Sequence, residues 1–509
     1  MRQTLFIIFS LFISLGFSQK LKFKLEGIED TTIFLVKYLG KGLYYADTAE
    51  MKNSFVEFDG SKQEAGMLAV LLPGQKYFEF IYDKKEVHLE TKSPNFVETM
   101  NVKKSEDNKV FYAYLDFLIK QRKKNKDLQE KRDQSQKDSE VYNKIQNQLL
   151  ASKKELTKYQ KELVETNKEL LVSKILKMGI DIEIPEAPKD ENGDQIDSLF
   201  NYHYYRDHFF DNFDFTDDRL VNSPMFHTRL EAYFSKNMLV QHWDTIIKYS
   251  FEFCDQLDPK SKAFQYSVDW ITNNFGKSKI MGMDKVFVMM GDRYYCSLNA
   301  EGKSPAYWMP EDRLETLCEN VKTNLNLVMG VKPPNIILRD TTDSNWKDFY
   351  SLNSEYTVLY FWDPTCGHCK KTTPKIQKLY DQKFKTRNIE VFAIGKATGD
   401  DFEKWKKFIK DNGLTFINVG VTESLFKAAT ENPYQFIPKY TTIESLNYQS
   451  TYDIYSSPRV FVLDRDKKII AKQISVSQLE DMLDHLQNMK DIPKLFPPDP
   501  EEDAQMQKH

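Results

Sequence analysis

Two cysteines, Cys366 and Cys369, sit in the run Tyr356-Thr357-Val358-Leu359-Tyr360-Phe361-Trp362-Asp363-Pro364-Thr365-Cys366-Gly367-His368-Cys369-Lys370-Lys371. Their spacing is that of thiol–disulfide exchange. The apolar residues before them read as a buried strand, followed by a short turn and then a helix whose start the cysteines straddle. Exchange needs a thiolate, and a helix amino terminus favours negative charge through its unpaired N–H groups and aligned dipoles. Such a setting lowers a free thiol from about 8.5 to somewhere between roughly 3.5 and 7.5. His368, between the cysteines, can add to that stabilisation, and the two-residue spacer lets the second sulfur attack a mixed disulfide formed by the first. Pro374 lies where a proline would kink the helix.

Other readings of the same residues are weaker. A zinc half-site would want a second pair of Cys or His, and Cys254, Cys296 and Cys318 are widely scattered. The odd count of 5 cysteines leaves at least one thiol without an intramolecular partner. Cys254 and Cys318 read as small buried hydrophobes. His203 and His208, in an aromatic cluster, lack the three- or four-residue spacing that metal ligands on one helix face require, and core packing explains them better. Asp47 and His88 are lone polar residues. No metal site is expected, and no organic cofactor is needed.

The elements that must position the dithiol belong to a long chain. With 509 residues it exceeds one core, and three units are expected. A formal net charge of -4 offers no electrostatic footprint for nucleic acid. Residues 1–18, with Arg2, an apolar run from Leu5 to Phe17 and the small residues Gly16 and Ser18, read as a cleaved secretory signal peptide. Residues 19–107 alternate with period two between Gly and Pro turn signals and predict an all-β domain, a small antiparallel sheet or sandwich. Residues 108–178 are rich in Lys, Glu and Gln. Tyr142, Ile145, Leu149, Leu156, Tyr159, Leu163 and Leu170 form a heptad seam, with Ser152, Thr166 and Ser173 in its gaps. This predicts a long helix that packs intramolecularly as a spacer or self-associates as a coiled coil. Residues 179–329 predict a helical domain, 330–490 an α/β domain of alternating strands and helices, and 491–509 a polar tail.

Gly330 to Met489 resembles the TlpA/ResA-like branch of the thioredoxin superfamily, which are exported thiol–disulfide interchange proteins. The residues carrying the resemblance are the Cys366-Gly367-His368-Cys369 run after its strand, Pro374, and Ser457-Pro458 followed by the strand Arg459 to Asp464. The earlier modules are similar to those that precede such domains in Bacteroidetes-type secreted proteins. The resemblance implies a thioredoxin fold, Cys366 as nucleophile, Cys369 as resolving thiol, and Pro458 as a cis-proline whose predecessor, Ser457, faces the substrate. It also implies protein dithiol or disulfide substrates in the periplasm or cell envelope, and a membrane-embedded redox partner that recycles the pair. Two departures stand out. Tyr360 occupies the place of the buried acid of thioredoxins, and Thr372 that of a Glu common in ResA-like reductases. Asp363 and His368 are then the candidate proton acceptors. Gly367-His368 is the dipeptide of protein disulfide isomerases, so isomerase or oxidase activity stands beside reduction, as does a binding protein with an ancillary dithiol.

Overall fold

The computed structural model describes residues 19–506; the expected signal peptide lies outside them. Among the described residues no helix is long and apolar enough to cross a membrane. The chain divides into two compact units, one running to Val240 with Leu257–Tyr266 added, the other comprising Gln241–Gln256 and everything from Ser267 onward. The helical stretch 179–329 is thus shared between them.

In the first unit, strands β1 (Lys20–Glu26), β2 (Thr32–Leu39), β3 (Gly42–Glu50), β4 (Phe55–Asp59), β5 (Gly66–Leu71), β6 (Tyr77–Tyr82), β7 (Val87–Lys92) and β8 (Asn101–Lys104) form two four-stranded sheets. Their orders are β4-β1-β7-β8 and β3-β2-β5-β6. Alternation explains the sandwich. Leu21, Phe23 and Leu25 point inward from β1, and Phe23 meets Phe58 of its own sheet and Phe78 and Phe80 of the other edge-to-face. Contrary to the purely antiparallel expectation, β1 and β7 pair in parallel.

The single long helix expected over 108–178 is instead a hairpin, α1 (Glu106–Asp133) and α2 (Glu140–Thr166), with the short α3 (Leu171–Lys177) after it. Ser139 ends the break by capping α2, its side chain accepting from the Tyr142 N–H. The heptad seam packs within the chain: Phe117 stacks on Tyr159 at 4.1 Å, and the buried Ser152 donates to Gln121 at 2.8 Å. The serine in the seam is therefore part of a satisfied polar pair between two helices. Helices α4 (Phe200–Asp207) and α5 (Pro224–Tyr233) follow in the same unit. His203 and His208 each face their own carboxylate, Asp197 and Asp211, both at 2.7 Å.

The second unit holds α6 (Trp243–Cys254), most of α7 (Lys262–Gly276), α8 (Asp284–Gly291) and α9 (Glu311–Asn324). These helices are tied to an α/β sheet because Trp243, Leu327 and Met329 enter its core. The buried Lys472 also bonds the Asp284 carboxylate and the Leu327 carbonyl. Cys318 is not the isolated hydrophobe expected: it forms a disulfide with Cys296, joining α9 to the turn after α8. Cys254 is free and buried.

The strands are β9 (Ile337–Asp340), β10 (Trp346–Asp348), β11 (Tyr356–Trp362), β12 (Ile389–Gly395), β13 (Ile417–Gly420), β14 (Arg459–Leu463) and β15 (Ile469–Lys472). They form one sheet in the order β10-β9-β13-β12-β11-β14-β15. Its centre is parallel, β13-β12-β11, and its flanks are antiparallel. Residues Thr357 to Trp362 of β11 are all buried, as a strand covered on both faces must be. The helices are α10 (Gly367–Leu379), α11 (Asp401–Asp411), α12 (Glu423–Glu431), α13 (Ile443–Leu446), α14 (Tyr448–Thr451), α15 (Val476–Leu486) and α16 (Pro500–Met506). This is a thioredoxin fold with a helical insertion before β14.

The last stretch is not a free polar tail. Leu495 and Phe496 pack against the core on the α10 side, and their N–H groups donate to the buried Glu480 carboxylate at 2.7 and 3.0 Å. Two apolar residues and a buried acceptor suffice to hold the segment down.

Candidate active site

Strand β11 delivers the chain to the sheet's edge, and Asp363-Pro364-Thr365 turns it into α10. Cys366 is the N-cap of that helix, with extended backbone at φ -68°, ψ 128°. Its sulfur therefore faces the first unpaired N–H groups. Burial alone would raise the Cys366 thiol, but the N–H and thiol of Cys369 and the N–H of His368 outweigh it, so it lies below its ordinary value. One turn on, Cys369 is fully buried. Burial pushes its thiol up to about 12, against the Asp363 N–H, which donates to its sulfur at 3.4 Å. The pair is thus chemically asymmetric: an accessible, acidic thiol and a buried, protonated one.

The Ser457–Pro458 peptide bond is cis, and the Cys366 thiol donates to the Ser457 carbonyl at 3.3 Å. Cys366, Cys369, Ser457 and Pro458, far apart in sequence, share one place. Gly367 and His368 are exposed in the first turn. A Cβ at Gly367 would meet nothing within 4 Å, so packing does not demand glycine there. His368 brings its N–H to the sulfur, while its ring lies at the surface.

Neither proton-acceptor candidate points at Cys369. The Asp363 carboxylate accepts from the Thr365 N–H at 2.7 Å and hydroxyl at 2.6 Å, and faces Lys396 at 3.6 Å. Tyr360, in the acid's place, is fully buried, and its hydroxyl bonds that of Thr373 at 2.7 Å.

Sequence reasoning missed what surrounds the loop. A cleft of about 160 Å³ beside it is lined by Trp362, Asp363, Lys396, Tyr455, Ser456 and Ser457, among others. Tyr455 is 89% exposed. Its position two residues before Ser457 was the available signal. Among the described residues no group of three or more His, Cys, Asp or Glu is placed to hold a metal ion.

Comparison with known proteins agrees with this geometry. Residues 353–469 match the Thioredoxin-like family model. The thiol-disulfide oxidoreductase ResA of Bacillus cereus is 24% identical over 162 residues, covering 32% of this chain and 78% of that protein. Among solved structures, a domain of a possible thiol-disulfide isomerase from Cytophaga hutchinsonii is 33% identical. That match covers 32% of this chain and 97% of the other, with a TM-score of 0.26. A thioredoxin-like protein from Bacteroides caccae is 15% identical over 59% of this chain and 97% of its own, with a TM-score of 0.39. Strand, dithiol, cis-proline loop and family match coincide in residues 353–469, and that region is a thioredoxin-like domain similar to thiol–disulfide oxidoreductases.

Proposed function

We propose that this protein is an exported reductase of protein disulfides, working in the periplasm or cell envelope. Cys366 is the nucleophile: its thiolate attacks a substrate disulfide, one substrate sulfur leaves as a thiolate, and a mixed disulfide forms. Cys369 then loses its proton and attacks Cys366. The second substrate thiolate is released, and the two electrons have passed from the dithiol to the substrate. A membrane-embedded electron carrier returns the pair to the dithiol. The observation that carries the reading is the asymmetry of the pair, one thiol acidic at the helix mouth and one buried behind it. The Cys296–Cys318 disulfide supports export, since such bonds persist in oxidising compartments.

The test is Cys369→Ser in the native compartment. Without a resolving thiol, Cys366 is expected to hold substrates as mixed disulfides that a reductant releases. A folded variant that captures nothing sinks the reading.

A second direction has its own support. Stabilising the Cys366 thiolate favours the reduced pair and makes the couple more oxidising, as an isomerase or oxidase requires. Equilibrium titration against glutathione separates the two: a potential near about -270 mV fits reduction, and one near about -180 mV or above fits isomerisation or oxidation.

A further inference from the structure

A second cavity, of about 690 Å³, opens wholly within the second unit. Part of its wall is the chain joining α7 to α8, residues 277–282, and part is Asp453, Gln473 and Ile474 from the α/β sheet and its loops. Strand pairing fixes where it sits. β11 runs towards the dithiol, and its Phe361 pairs with Arg459 at the start of antiparallel β14. β15 returns to the same end, where Lys472 faces Phe461 and the Gln473 N–H donates to the Val460 carbonyl at 3.0 Å. Gln473 and Ile474 therefore stand at the dithiol end of the sheet, two strand spacings or roughly 10 Å from the end of β11. Asp453 begins the loop that leads to Ser457 and cis-Pro458. It lines this cavity, while Ile454 to Ser457 line the smaller cleft, so one loop borders both.

The charge around the cavity is one-sided. Lys277 and Lys279 are exposed on its wall, and their side chains make no ion pair or hydrogen bond among the described residues. The carboxylates there are already answered. Asp284 pairs with the buried Lys472, and Asp453 supports the cation of the buried Arg459. Ile280 and Met281, next along the chain, are exposed apolar side chains on the same wall. Two cations without partners beside an apolar patch suit a chain carrying carboxylates among apolar residues. A small free anion would meet the lysines and leave Ile280 and Met281 bare. Continuity with the cis-proline loop likewise favours a polypeptide.

We propose that this cavity receives an acidic, partly apolar segment of the protein whose disulfide is docked at Cys366, so that the helical part of the second unit selects substrates. The inference deepens the dithiol reading above and rests on it. An extended chain leaving the disulfide covers roughly 10 Å in about three or four residues. The favoured carboxylates therefore lie about four residues from the substrate cysteine. Lys277 and Lys279 meet that segment and not the reacting sulfurs, which makes them specificity residues.

The experiment uses the reduced full chain and short extended peptides, each with one cysteine held as a mixed disulfide with thionitrobenzoate. One series carries two Glu about four residues from the cysteine, on either side, and the other carries two Lys there. The thionitrobenzoate disulfide of N-acetylcysteine is the control. The Cys366 thiolate attacks the peptide sulfur, the peptide–thionitrobenzoate S–S bond breaks, and thionitrobenzoate leaves with the electron pair, its colour reporting the rate. At low salt the better Glu peptide should react about 5- to 10-fold faster than its Lys counterpart, as two exposed ion pairs allow. That advantage should fall at about 0.5 M salt. K277E/K279E should reverse the preference and leave the N-acetylcysteine rate unchanged. Equal rates for Glu and Lys peptides in wild type overturn the proposal, and so does a Glu preference that survives in K277E/K279E. Slowing of the N-acetylcysteine reaction in that variant also overturns it, since the lysines would then act on the dithiol itself. Failure of wild type to release thionitrobenzoate from N-acetylcysteine overturns the dithiol reading instead, and this proposal with it.

Discussion

The Cys366 thiol donates to the Ser457 carbonyl oxygen at 3.3 Å across 91 residues of sequence. The carbonyl comes from the residue before cis-Pro458, so the accessible sulfur is aimed at main chain and not at an acid or base. Helix N–H groups, together with the Cys369 thiol, therefore set its acidity, with no acidic or basic side chain among the causes.

That arrangement predicts a pH profile. A thiol held below its ordinary value ionises at lower pH. The rate of Cys366 alkylation by iodoacetamide should therefore level off at a pH under about 8.5, and fall tenfold per unit below that inflection. Cys369, with its thiol near 12, should stay unmodified in the native protein through neutral pH. Mass spectrometry after partial alkylation checks both. Equal labelling of the two cysteines would contradict the asymmetry.

Tyr455 extends the site outward. It is 89% exposed beside the cleft that includes Ser457. An aromatic ring left in water beside the cis-proline loop is suited to an extended protein strand. Tyr455→Ala should raise KM for a folded disulfide-bearing protein about fivefold, equivalent to roughly 1 kcal/mol of aromatic contact. Turnover of a small disulfide should be unaltered. Equal effects on both substrates would place Tyr455 in the chemistry or the fold instead.

What could be read from the chain, and what could not, follows from the range of the interactions. The strand Tyr356–Trp362, the dithiol helix and the Ser457-Pro458 loop are local signals: a continuous apolar run, a cysteine spacing, a Ser-Pro before β-branched residues. Strands β9, β10 and β13, of 4, 3 and 4 residues, are too short to show a period and exist through their neighbours. The Cys296–Cys318 pairing was invisible because connectivity is decided in space. Ser139 is an ordinary serine until a helix is seen to start there, so the hairpin over 108–178 read as one helix. The residues farthest from legibility were those of the carboxy-terminal segment. Leu495 and Phe496 look like minor apolar content in a polar stretch, and only the buried Glu480 carboxylate makes them an anchor.

The disulfide offers a stability test. Cys296 and Cys318 are 22 residues apart, and closing a loop of that size restricts the unfolded chain by about 3 kcal/mol on the chain-entropy account. Replacing both with Ser should lower unfolding stability in urea by about that amount, without changing Cys366 alkylation. No loss of stability would show that the loop is restrained by other means.

A buried charge cluster between α15 and the segment that follows α10 carries its own pH signature. Asp484 is fully buried on α15, 2.6 Å from Arg387, 2.9 Å from Lys383 and 3.0 Å from Lys494. Glu480, equally buried, meets Lys383 at 2.5 Å and also holds the Leu495 and Phe496 N–H groups. Burial works to raise the Asp484 carboxyl, but Arg387, Lys383 and Lys494 outweigh it and hold it below the ordinary carboxylate range. A carboxylate with a depressed folded value stabilises the fold above its unfolded value of about 3.9, and loses that contribution as pH falls through the folded value. Asp484→Asn removes the charge at nearly constant shape and strands the cations, which should cost about 3–5 kcal/mol at pH 7. The gap between wild type and variant should hold down to about pH 5 and narrow below about pH 4. Urea unfolding of both proteins at neutral, mildly acidic and strongly acidic pH measures it. A gap that stays constant into strong acid would mean the cost is lost packing and not lost charge, and the cluster would then be an architectural support with no electrostatic share in stability.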